Sequence, residues 1–119
     1  MKLTNAEIFN VKEPLMLLSK EKLPVKTSLA VLRLIRKLDE FLIPVETVRD
    51  GLIRTYGKET KEGNFTVMPG DENWSKFNKE YGELMTQTSE VVFEVVTLPD
   101  TLEIEPATLM ALERFIKVA

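Results

Sequence analysis

The chain has 119 residues, 44% of them hydrophobic and 29% charged, the make-up of an ordinary globular protein with length for one domain and no bias toward disorder or collagen-like repeats. Sixteen Lys and Arg stand against nineteen Asp and Glu, a net charge of -3, which excludes a surface that is a nucleic-acid footprint throughout but allows a local basic face. With no Cys and no His, disulfides, thiolate nucleophiles, cysteine zinc sites and the Ser-His-Asp, Cys-His and HExxH chemistries are excluded.

Thr4 and Glu7 have the S/T-x-x-E spacing of a capping box, and Ile8, Val11, Leu15 and Leu18 follow at helical intervals. An amphipathic helix is expected over residues 4–20; Pro14 lacks an N–H and crowds the Asn10 carbonyl, so the helix either kinks there, the preferred reading, or stops and restarts with Pro14 in a new first turn. Leu23-Pro24 breaks the chain, and Thr27 or Ser28 is placed to cap the next helix. In that helix Val31, Leu38, Val45 and Leu52 recur every seven residues, with Leu34, Phe41 and Val48 three further on each time. Ile35 and Leu42 widen the stripe into a packing face. At ~1.5 Å per residue this helix approaches about 45 Å, long for so small a chain. A bend is expected near Pro44, and Gly57 is expected to end the helix in a left-handed conformation.

Residues 58–63 read as a charged turn and 64–68 (NFTVM) as a short strand stopped by Pro69-Gly70. Asp71 or Asn73 then caps a helix carrying Trp74, Phe77, Tyr81, Leu84 and Met85 on one face, weakened by Gly82. Residues 90–98 (EVVFEVVTL) form the best strand in the chain, with Val91, Phe93 and Val95 on one face and Val92, Glu94 and Val96 on the other. Leu102 to Ile104 suits a short extended segment. Pro106 suits a first helical turn, with Leu109, Leu112, Phe115 and Ile116 in a C-terminal helix. The fold class is therefore α+β: helix, long bent helix, short strand, helix, strand and C-terminal helix, with a small antiparallel or mixed sheet, in one domain over residues 1–119.

Four stretches carry a resemblance to a known family: KLTNAEIFNVKEPL at 2–15, LPVKTSLAVLRLIRKLDE at 23–40, LIRTYG at 52–57 and LEIEPATLMALERFI at 102–116. Together they resemble a small family of uncharacterised proteins from tailed phages of Gram-positive bacteria, known only as a domain of unknown function. The segment around 68–90 carries the least of it. The resemblance implies a phage origin and action inside an infected cell; no catalytic or binding residues come with it.

The most suggestive constellation is cationic. Lys26, Arg33, Arg36 and Lys37 are expected on one side of the long helix, with Arg49, Arg54 and Tyr56 further along. Arg offers phosphate a planar fork of donors, and Tyr56 can stack on a base or bond a phosphoryl oxygen. Arg33 and Lys37 are like charges one turn apart, which costs a few tenths of a kcal/mol (roughly) unless an anion lies between them. A solvated face, balanced by Arg36 with Glu40 and Asp50 with Arg54, explains the same residues. Asp100, Glu103 and Glu105 are better read as negative charge before a helix than as an acid–base pair or metal site. Trp74, Phe77 and Tyr81 are core residues first, with Trp74 the one available to a partner.

The five glycines form neither a GxGxxG nor a GxxxxGK[ST] loop. No run approaches the ~20 apolar residues of a membrane span, and the N-terminus lacks a signal-peptide pattern, so a cytosol-like compartment, the host cytoplasm, is expected. No enzyme activity, cofactor, metal or membrane is expected, nor nucleic acid as a partner. A homo-oligomer is, because so few strands and so long an apolar helix need more covering surface than one chain supplies. The expected function is capture without catalysis of a host protein or a small anionic, nucleotide-like signal, in a pocket at the subunit junction lined by Arg33, Arg36 and Tyr56. The alternative is a virion-morphogenesis accessory whose partner is a phage structural protein.

Overall fold

The capping box at Thr4 starts the structure as its spacing requires. In the computed structural model, which describes residues 1–119, strand β1 (Lys2–Thr4) leads directly into helix α1 (Asn5–Ser19). The Glu7 amide donates to Thr4 Oγ1 at 3.1 Å and the Thr4 amide to Glu7 Oε1 at 3.0 Å, satisfying two donors that the first turn would otherwise orphan. Ile8, Val11, Leu15 and Leu18 are all buried. The helix continues through Pro14 rather than stopping there, because packing along both flanks outweighs one missing ladder bond.

Helix α2 (Val25–Tyr56) starts earlier than its polar residues indicate. Pro24 occupies the cap position and makes no side-chain bond, and the Ser28 amide donates to the Pro24 carbonyl at 2.9 Å. Thr27 and Ser28 lie inside the first turn instead of capping it, the Ser28 hydroxyl donating back to the Leu23 carbonyl at 3.3 Å. The 32 residues of α2 run on through Pro44; at ~1.5 Å per residue they span about 48 Å, and the whole molecule is 52 Å long. Val31, Leu34, Leu38, Leu42 and Val45 are buried, whereas Val48 is half in water at 49% exposure. A seven-residue repeat drifts by about 20° per heptad on a straight helix, which carries Val48 off the buried face.

Gly57 ends α2 without a left-handed turn: its φ is -83°. What demands glycine is space, since a Cβ there would meet the Ile53 carbonyl and stand 2.9 Å from the Thr66 carbonyl oxygen. Thr66 lies in an antiparallel hairpin of β2 (Lys58–Glu59) and β3 (Phe65–Thr66), so the expected charged turn begins as a strand and the expected strand at 64–68 is two residues long. Helix α3 (Trp74–Thr86) follows and continues through Gly82. Asn73 stands at its cap without a side-chain bond, while Asp71 Oδ2 accepts from the Met68 amide at 2.9 Å and closes the preceding turn.

Residues 90–98 do not form one strand. Strand β4 (Thr88–Glu90) pairs antiparallel with β1, and β5 (Val96–Leu98) pairs parallel with the C-terminal β6 (Ile116–Val118). Between them the burial phase slips by one residue: Val91 and Val96 are buried while Val92 and Val95 are 75% and 47% exposed. A one-residue slip sends every later side chain to the opposite face, so no single strand satisfies both partners. Helix α4 (Pro106–Leu112) opens with Pro106 as expected but is short, leaving Phe115 in a turn and Ile116 in β6 rather than in the helix. Leu102 to Ile104 pairs with nothing as a strand. The class is α+β, with three separate two-stranded ladders, two antiparallel and one parallel.

Leu3, the buried faces of α1 and of α2 up to Leu42, Val91, Val96, Leu98, Leu112, Phe115 and Ile116 make one core. Asn5, the only buried polar residue, ties α1 to the end of α3: its Nδ2 donates to the Leu84 carbonyl at 2.7 Å and its amide to the Gln87 carbonyl at 2.9 Å. Beyond Val45, α2 has no fully buried side chain, and it forms with the hairpin and α3 a thinner distal arm. The radius of gyration is 17.4 Å, against about 13.5 Å for a compact chain of this length. No helix is long and apolar enough to cross a membrane.

Candidate functional site

Lys26, Ala30, Arg33 and Lys37 recur at intervals of four, three and four residues, so they share one face of α2. Facing them is the chain between β4 and β5. A cavity of about 360 Å³ lies between Ala30, Arg33 and Lys37 on one side and Val92, Phe93 and Val95 on the other. A second, of about 520 Å³, lies between Lys26 and Ala30 and the stretch from Val95 to Leu98. Both are lined by Ala30, Glu94 and Val95, so the two form one groove. The small side chain of Ala30 sits where they meet. Phe93 anchors the opposite wall by packing on Phe115, ring centroids 4.9 Å apart.

The groove's rim is positive. Lys26 and Arg33 belong to none of the chain's ion pairs, and Lys37 Nζ sits 3.4 Å from Glu40 on its own helix. Glu94 is the one acidic side chain lining the groove, and Ala119 borders its second half beside Lys26. Three cationic side chains over one acidic side chain and an apolar wall suit a ligand that carries both negative charge and hydrophobic surface.

The other residues of the cationic constellation lie elsewhere. Arg36 sits on the adjoining face in register with Val25, Leu29 and Leu32, which are exposed. Arg49 is spent on structure, its guanidinium 5.6 Å from the Phe9 ring centroid and 3.3 Å from Asp50. Arg54 borders a separate hollow with Asp50, Asn64 and Phe65 in the distal arm. Tyr56 is 23 positions beyond Arg33 on an unbroken helix, about 35 Å along the axis, so Arg33, Arg36 and Tyr56 cannot line one pocket within a chain. The Glu80 carboxylate beside Tyr56, with desolvation second, raises the phenol above its ordinary 10.0.

Phe77 stacks on Tyr81 and leans on Trp74, with centroids 5.6 Å and 6.1 Å apart, and all three are half-buried. Glu103 and Glu105 border a shallow cavity of about 550 Å³ with Lys20 and Glu21. No group of acidic residues is close enough to hold a metal ion. The opposite wall of the groove, Val92, Glu94 and Val95, escapes a reading from sequence because it lies inside the apparent strand. Its one signal is that EVVFEVVTL is apolar on both faces, more than one buried side needs. No family model, curated protein or solved structure matches the chain.

Proposed function

We propose that this chain is a non-enzymatic binding protein that captures an anionic partner in the groove between α2 and residues 92–98. Following the phage resemblance of its sequence, it acts in the host cytoplasm by sequestering a host factor or a nucleotide-like signal. The observation that carries this reading is the shared face of Lys26, Arg33 and Lys37 over an apolar wall, two of those cations having no carboxylate partner. A sequence with neither His nor Cys supports binding over catalysis. The test is thermal stabilisation against acidic peptides and cyclic and ADP-ribose-type nucleotides. A ligand of the groove raises the melting temperature, loses its effect as salt rises and has none on Arg33→Glu. A panel with no active member defeats the reading.

A second reading, an accessory of virion assembly, is favoured by the exposed Val25, Leu29 and Leu32 stripe on α2 and by an accessible area of 8344 Å². A compact monomer of this mass exposes about 6,600 Å². The excess exceeds the ~800 Å² that each partner contributes to a standard interface, which equally supports self-association. Co-purification with a phage structural protein, lost on Leu29→Lys, distinguishes this reading.

A further inference from the structure

The wall of the groove has open backbone as well as side chains. The Val91 amide donates to the Met1 carbonyl at 2.8 Å and the Val96 amide to the Phe115 carbonyl at 2.9 Å, but no N–H or C=O of residues 92–95 is bonded within the chain. The stretch of highest β propensity thus presents an unpaired edge beside a helix face. Native proteins cover such edges or use them to accept a strand.

Resting on the reading of this groove as an anion site, we propose that its ligand is an acidic protein segment bound in extended form. The segment adds as a strand between residues 92–95 and α2, bonding the free backbone groups. Its carboxylates meet Lys26, Arg33 and Lys37, and its apolar side chains cover Val92 and Val95. The dimensions agree: four extended residues span about 13 Å, and the eleven steps from Lys26 to Lys37 rise about 16 Å. A nucleotide has no alternating donors and acceptors to match such an edge. A second copy of the chain fits less well, because its own edge at residues 92–95 brings a single carboxylate, Glu94, to three cations.

A fluorescein-labelled octapeptide of alternating valine and glutamate, followed by anisotropy against the full chain, tests this. It binds, and weakens with salt. The double variant Lys26→Glu/Arg33→Glu, both sites being exposed, weakens it roughly tenfold or more. N-methylation of alternate peptide amides weakens it by a similar roughly tenfold factor, and binding protects the amides of residues 92–95 from hydrogen exchange. Equal binding of the methylated peptide overturns strand addition while leaving an anion site in place. Nucleotide binding without peptide binding does the same. A dimer that Val92→Lys dissociates, with no peptide bound, assigns the edge to a second copy and overturns the proposal. If neither peptides nor nucleotides bind, the underlying reading falls with it.

Discussion

Glu7 does two jobs through one carboxylate. It closes the capping box with Thr4, and its other oxygen accepts from Arg114 beyond α4, so the start of the chain is tied to its end. The Thr4 amide first, and Arg114 next, hold this carboxyl below its ordinary 4.5. A group whose folded pKa is depressed stabilises fully above its unfolded value, and that stabilisation is lost as pH falls through the lower folded value. The wild-type melting temperature is therefore expected to drop below about pH 4.5, and Glu7→Gln to melt lower at neutral pH with a shallower acid decline. Parallel acid profiles for the two proteins would show that the carboxylate contributes nothing. The capping half of this site was legible because both partners lie within one turn; Arg114 was not, being 107 residues away.

At the scale of elements, glycines separate local from tertiary causes. Gly82 has nothing within 4 Å of a would-be Cβ and sits in a helix, so Gly82→Ala should raise stability by about 0.5–1 kcal/mol in urea titration. Gly57→Ala should lower it by about 1–3 kcal/mol, because the added methyl drives into the Ile53 and Thr66 carbonyls. A neutral Gly57→Ala would mean that the hairpin does not pack there. The residue was expected to end the helix for its conformational freedom, and it does end it, for lack of room. The segment 90–98 has a similar history. Its composition announces strand, but β1 claims one end and β6 the other, and the phase slip between them opens the groove wall.

For the molecule as a whole, burial is uneven. Every residue of the central core lies in the proximal half, while α2 beyond Val45 has no fully buried side chain and the aromatic row of α3 is half-buried. Local stability follows buried apolar contact. Hydrogen exchange should accordingly find the amides of Ile53 and Phe77 opening well before those of Leu15 and Leu38, and uniform protection along α2 would contradict this. The elongated form also spreads the cationic residues over the length of one helix, separating Arg49 and Arg54 from the three that line a groove, while Arg36 lies on the adjoining face.

The amino-acid order alone settled the α1 cap, the buried stripes of α1 and the first half of α2, and the exclusion of histidine and cysteine chemistry. Each depends on neighbours within a turn or two, or on residue type. The tertiary structure decided which cations meet, where the longest apparent strand divides and why Gly57 must be small. These rest on partners tens of residues apart, and a helical or alternating pattern is the same whichever partner finally covers it.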